Sequence, residues 1–221
     1  MSLDSFATRD VRLIFKAMDS VVFAAPVDAS PVNAITTGPD AELVSLDPDY
    51  VCLGHHTESE GLNWTREVEN ADVRSHGSQE PTRRDITSDV SGLTVIAQET
   101  KMITLEMFHN RDMSNVEADP TSGEIAYNRA VTPQTRYYRL LAVAQDGAGD
   151  DALYFARFLP RASVTEFAEQ SWSKETEMRY ELTFTGYVDP DLGYAMREMI
   201  GGPGLAARLS AMGFSVGSSS S

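Results

Sequence analysis

Residues 176–188, TEMRYELTFTGYV, alternate without a break. Met178, Tyr180, Leu182, Phe184, Gly186 and Val188 fall on one side; Arg179, Glu181, Thr183, Thr185 and Tyr187 fall on the other. Successive side chains of extended backbone point to opposite faces, so a period of two fits a strand with one apolar face. Such a strand rests on a core with that face and meets solvent or a neighbouring subunit with the other. Residues 136–145 (RYYRLLAVAQ) and 152–159 (ALYFARFL) supply two more strands. The Gly-rich stretch Asp146-Gly147-Ala148-Gly149 joins them as a hairpin.

Upstream, residues 53–110 open on glycine turns at Gly54 and Gly61. They continue as a strand over 61–68 anchored by Trp64, a polar stretch over 67–85, and a second strand over 86–97 interrupted by Gly92. The 67–85 stretch is too long and too polar for a hairpin turn and is expected to be a loop. A long charged loop on a β scaffold is more often a docking device than a reaction centre. Residues 100–109 are ambiguous. Ile103, Leu105 and Met107 alternate as in a strand, yet Ile103 and Met107 are also helix neighbours, and Glu, Lys, Met and Leu favour helix. Pattern alone does not separate the two.

Prolines shape the N-terminal part. Residues 10–23 are rich in Val, Ile and Phe and read as one strand or two with a break near Asp19-Ser20. Pro26, Pro31, Pro39 and Pro48 then forbid regular helix and central strand. Residues 19–50 are therefore expected to be an extended arm whose spaced apolar residues lie on something, a neighbouring copy being the natural candidate. Residues 110–133 form another long polar connection. After Asp189-Pro190 the chain changes character. Residues 192–200 are expected to make a helical turn or two, and residues 203–212 a short helix with Pro203 near its start and Gly213 after its end. Residues 217–221 are expected to be a flexible serine tail. These elements make a mainly β fold, an antiparallel β-sandwich or barrel with one flanking α-helix, a long N-terminal arm and a long inter-strand loop. Its main domain spans residues 1–202, followed by a C-terminal appendage over 203–221.

The totals exclude several functions. Eighteen basic and 33 acidic residues give a formal charge of −15, which argues against a protein that grips DNA or RNA. With 221 residues the fold buries roughly 70% of its unfolded surface and needs no disulfide or metal staple. The lone Cys52, between Val51 and Leu53, is expected to be a buried inert thiol. Residues 1–10 lack the basic start and apolar core of a secretion leader, so synthesis in a cytosol is expected. No apolar run approaches the length that spans a bilayer.

Chemical motifs are scarce. His55 and His56 are adjacent, so on a strand they face opposite ways and do not share an ion easily. There is no Gly-x-Ser-x-Gly elbow, no phosphate loop and no dinucleotide fingerprint. No catalytic group, cofactor or metal ligand is expected. What stands out is basic charge in the 67–85 region of an acidic chain: Arg66, Arg74, Arg83 and Arg84, interleaved with Glu67, Glu69, Asp72 and Asp85. They read either as a solvated face or as an inter-subunit interface that offsets repulsion between like-charged copies. Pro26 and Pro31 of the arm join the same expected interface.

Four stretches carry a resemblance: SVVFAAPVDASPVNAITT (20–37), DYVCLGHHTESEGLNW (49–64), LTVIAQETKMITLEMFHN (93–110), and YFARFLPRASVTEF (154–167) with ELTFTGYVDPDLGYAMREMIGG (181–202). In order and spacing the chain resembles the major tail proteins of long non-contractile-tailed bacteriophages, the subunits of the tail tube. The likeness covers about residues 20–202. Asp28 stands where the family usually has glycine, the 67–85 stretch is richer in charge, and few residues follow Gly202 for the immunoglobulin-like domain of some relatives. The resemblance implies that residues 98–109 are a helix beside the sandwich. It also implies hexameric rings stacked into a tube, with pairing of open sheet edges such as 176–188 on ring closure. The implied partners are further copies of the chain and the tape-measure, tail-terminator and distal tail proteins. The implied location is the virion tail, with assembly in the host cytoplasm. Genomic DNA would pass through the lumen without specific binding, past a wall that includes carboxylates; no membrane is involved. The alternatives are a distal tail or tail-terminator ring, or a soluble β-sandwich binding module.

Overall fold

A computed structural model describes residues 7–129 and 131–217. Ten strands carry the fold: β1 (Asp19–Pro26), β2 (Thr36–Thr37), β3 (Glu42–Leu43), β4 (Val51–Cys52), β5 (Leu62–Val73), β6 (Arg83–Ala97), β7 (Tyr138–Asp146), β8 (Leu153–Phe167), β9 (Tyr180–Gly186) and β10 (Arg197–Gly201). The helices are α1 (Met102–Phe108) and the single turn α2 (Leu209–Met212). The main sheet is antiparallel throughout, ordered β4-β1-β7-β8-β9-β6-β5, with β10 added to β8. The protein is a mainly β antiparallel sandwich with one main helix.

The pivot of the sandwich is β8. Residues 154–158 pair with β10 and residues 162–167 with β9. Between them lies buried Pro160, which has no N–H to give to a ladder. The β7–β8 register slips at the same place, between Tyr138 and Leu140. A bulge at a proline bends a strand, and here the bend divides β8 between two partners, β10 before it and β9 after it, within the one continuous sheet. On the far side a short strip restores continuity. The Leu53 N–H donates to the Val22 carbonyl at 2.9 Å, His56 bridges to Ala97, and the Thr57 N–H donates to the Ile96 carbonyl at 3.1 Å. Residues 51–57 thus stitch β1 to β6.

Two clusters fill the interior. Leu93 and Val95 of β6, Leu182 and Phe184 of β9, Leu140 of β7, Leu159 of β8 and Val22 of β1 form the larger, with Met107 of α1. Phe108 of α1 packs edge-on to Tyr180, ring centroids 5.3 Å apart. The smaller cluster joins Leu141 and Phe158 to Ala29, Val32, Ile35 and Tyr50.

Several expectations change. The 67–85 stretch is not a loop. Most of it continues β5 and β6 as a paired hairpin, and only residues 74–82 lie outside the strands. With no core beneath them, these parts of β5 and β6 carry no apolar alternation, so their strand character leaves no period in the sequence. The arm over 19–50 is not a free arm. Its first eight residues are β1, held between β4 and β7, and Ala29, Val32 and Ile35 are buried in the subunit's own second cluster. Pro26 is tolerated because it ends β1. Residues 176–188 are not an open edge, since β9 is bonded to β6 and β8 on its two sides. Among the described residues the edge strands are β5, β10 and the two-residue β4. Residues 192–200, expected to make a helical turn or two, instead lead into β10 (Arg197–Gly201). Residues 10–18 hold a 3-10 turn, Val11–Leu13, with Val11 and Ile14 exposed rather than a strand. Cys52 is half-buried, its Sγ accepting from the Gly54 N–H at 3.3 Å. The serine tail at 218–221 lies outside the described residues.

Candidate assembly interface

β6 pairs with β9 only from Gly92 to Ala97, whereas its pairing with β5 runs on to Arg83 opposite Val73. Beyond Gly92 the two strands therefore leave the body as a two-stranded ribbon. Gly92 marks the exit. A Cβ there would lie 2.6 Å from Thr65 Oγ1 and 3.0 Å from the Phe184 carbonyl, so the three strands meet too closely for a side chain. At about 3.4 Å per residue the paired part of the ribbon reaches some 25–30 Å.

With no core beneath it, the ribbon draws order from its own polar groups. Asp72 stands directly opposite Arg84, and the guanidinium Nε and Nη2 donate to its two carboxylate oxygens at 2.8 and 3.0 Å. Arg66 reaches diagonally to Asp89 with the same fork, at 2.8 and 2.6 Å. Arg83 Nε donates to both oxygens of Asp85, the nearer at 2.8 Å. The hydrogen bonds from Arg84 and Arg66 hold the carboxyls of Asp72 and Asp89 below the ordinary aspartate range. Opposite charges facing each other across an antiparallel pair favour one register over its slips. At the tip the Thr82 N–H donates to the Val73 carbonyl at 2.9 Å, and the Ser75 and Thr82 hydroxyls meet at 2.8 Å.

The two faces differ. Leu62, Trp64, Arg66 and Val68 follow one another on the face that packs against the core at the base. The ladder shifts between Glu69 and Asn70, leaving Thr87 unopposed and putting Ile86 and Arg84 on that same face. Exposed Val68 and Ile86 thus continue the core face beyond the core, between two ion pairs. Glu67 and Glu69 lie exposed on the opposite face. The outer edge of β5, twelve residues long, has no strand partner among the described residues.

Of the residues singled out in the sequence, Arg66, Glu67, Glu69, Asp72, Arg83, Arg84 and Asp85 lie in the ribbon strands, and Arg74 follows β5 at the tip. Three of the four arginines are paired within the chain, so their charge is not simply held in reserve for a neighbour. Pro26 and Pro31 belong elsewhere: Pro26 ends β1 opposite Tyr138, and Pro31 lies in the segment over the second cluster. Sequence reading missed Asp89, Val68 and Ile86. Their spacing to Arg66 and Trp64 becomes meaningful only once the strands are registered.

At the base, a second polar group fixes the strip that stitches the sandwich. Glu99 accepts from the His55 N–H at 2.8 Å, pairs with the His55 ring at 2.6 Å and with Lys101 at 2.7 Å. The Lys101 ammonium and the His55 donors hold its carboxyl at about 2. His56 turns the other way, its Nε2 2.9 Å from Ser20 Oγ on β1, and burial pulls its imidazole below the ordinary histidine range. The two histidines thus take separate partners. The described residues contain no group of three His, Cys, Asp or Glu placed to hold a metal. No helix among them is long and apolar enough to cross a membrane.

A family model described as phage tail tube protein matches residues 7–197. The chain belongs to the phage tail tube protein family. This tail tube protein is a structural component of the virion tail and not an enzyme. Among solved structures it is similar to the anti-feeding prophage cap, the AFP tube terminating cap seen by cryo-EM. The identity is 11% and the TM-score 0.40, over 90% of this chain and 97% of that one. No curated protein matches.

Proposed function

We propose that the tail tube protein forms hexameric rings that stack into the tail tube, the conduit for DNA into the host. The observation that carries this reading is the β5–β6 ribbon, a two-stranded projection with a free twelve-residue edge and exposed Val68 and Ile86. An open edge is a template for pairing with another chain, and a two-stranded ribbon alone in water is marginal, so the projection gains most from a docking partner. β10, at the other limb of the sandwich, offers a second free edge. Two different edges permit a heterologous contact, which closes into a ring or continues as a filament. The tape-measure, terminator and distal tail proteins would meet the same surfaces at the ends of the tube.

The charge of −15 suits a conduit for a polyanion, because a basic wall would hold DNA by counterion release. Packing acidic copies costs Coulomb energy that salt screens, so assembly is expected to quicken as ionic strength rises from low values. Negative-stain electron microscopy of the purified protein tests the reading. Hollow tubes of stacked sixfold rings support it. Single closed rings point instead to a terminator or distal ring, and monomers at every salt concentration overturn it. Salt-sensitive retention of DNA by the tubes would overturn the passive-conduit part alone.

A further inference from the structure

The second core cluster hides an ion pair whose hydrogen bonds do not close. Arg139, on β7, and Asp189, after β9, have side chains only 8% and 4% exposed. Arg139 Nε donates to the Val27 carbonyl at 2.8 Å. Its Nη2 stands 3.8 Å from Asp189 Oδ2, beyond a direct hydrogen bond. Among the described residues its Nη1 is buried without a partner, and so is the hydroxyl of Tyr194. Tyr194 belongs to the same turn as Asp189, whose N–H donates to the Tyr194 carbonyl at 3.1 Å. The other oxygen of Asp189 is occupied by the N–H groups of Asp191 and Leu192 at 3.0 and 3.1 Å. The Tyr50 phenol donates to the Ser30 carbonyl at 2.8 Å and also meets the Arg139 guanidinium. Burial pushes that phenol up to about 12, against the pull of the Arg139 charge and with a push from Tyr194.

A buried guanidinium that reaches a backbone carbonyl and the Tyr50 phenol but makes no direct hydrogen bond to its carboxylate still leaves Nη1 unsatisfied. Buried water commonly makes about three hydrogen bonds to such groups. A polar gap beyond 3.5 Å is the usual place for one. An anion is disfavoured because Asp189 already supplies the negative charge, and a cation because Arg139 faces the gap.

We propose that this joint is a buried water site, in which water accepts from Arg139 Nη1 and links it to the Tyr194 hydroxyl and Asp189 Oδ2. Through it the 27–50 segment and the 187–194 turn are both fastened to β7 of their own subunit. The site is independent of how subunits assemble.

Tyr194→Phe tests it without disturbing the charge pair. A dry, unpartnered hydroxyl is a burden, so its loss would raise the melting temperature. A water-linked hydroxyl is an anchor, and its loss is expected to lower the melting temperature by about 2–4 °C. A high-resolution crystal structure of the full chain gives the second readout. Ordered density within hydrogen-bond distance of both Arg139 Nη1 and the Tyr194 hydroxyl, with no anomalous peak after a bromide soak, is the expected result. An unchanged or raised melting temperature, a dry joint, or a bromide peak at the site would each overturn the proposal.

Discussion

β6 is a single strand divided between two environments. From Gly92 to Ala97 it is hydrogen-bonded on both sides, and Leu93 and Val95 lie in the core. From Arg83 to Ser91 it has β5 alone, and both faces are largely exposed. The backbone ladder is continuous across the boundary, so hydrogen bonding does not distinguish the halves. In the body, order comes from burying apolar surface, at about 25 cal/mol per Å². In the ribbon it comes from cross-strand charge pairs and a hydroxyl-tied tip, forces that fix register but stabilise weakly in water. A device of the second kind keeps its shape while leaving edge and faces free for a partner.

The sharpest test of that contrast is on the body side. Phe184→Ala empties the centre of the larger cluster and is expected to cost about 3–5 kcal/mol of unfolding free energy in urea titration. A loss below about 1 kcal/mol would mean that the core does not hold the body together. On the ribbon side, residues 68–89 can be replaced by an Asn-Gly turn joining Glu67 to Val90, which stand opposite each other. The expected product is a soluble subunit with an unchanged melting curve that forms no tubes. Normal tubes would remove the ribbon from the interface, and a collapsed melting curve would erase the distinction between the halves.

The boundary itself has a pH signature. Glu99 titrates at about 2 in the folded protein against an ordinary 4.5. A depressed carboxyl stabilises the folded state in full above the unfolded pKa and loses that contribution as pH falls through the folded one. Thermal melts of wild type and Glu99→Gln should therefore converge between about pH 4.5 and 2, wild type being the more stable above that window. Parallel curves would show that Glu99 does not pin the 53–57 strip.

The smallest effect is expected within the ribbon. Exchanging Asp72 and Arg84 should leave the melting temperature unchanged. Arg84→Asp alone should speed amide hydrogen exchange across residues 68–88, and adding Asp72→Arg should restore protection. Identical exchange in all three proteins would show that the charge pair does not fix the register.

Alternation in the sequence located β7, β9 and the first half of β8 to within a few residues, because each covers a core with one face and its side chains record that fact. β8 runs on past Pro160 to Phe167, eight residues beyond the expected end. It also marked the arginine-rich stretch as unusual. Whether residues 98–109 were helix or strand was decided by family resemblance rather than by pattern, since Ile103 and Met107 satisfy both periods. The ribbon escaped because strands without a buried side carry no hydrophobic period. Arg66 and Asp89 are 23 positions apart, and only the ladder makes them partners.

The sequence alone therefore determined an acidic, mainly antiparallel β protein, because composition and side-chain period are local properties that burial imprints directly. Tertiary structure alone decided which edges stay open, which charges are already paired, and that the proline-rich segment lies on its own subunit. Those outcomes depend on which distant segments come to lie together, as Arg139 does with Asp189 fifty residues on, and no local pattern records that.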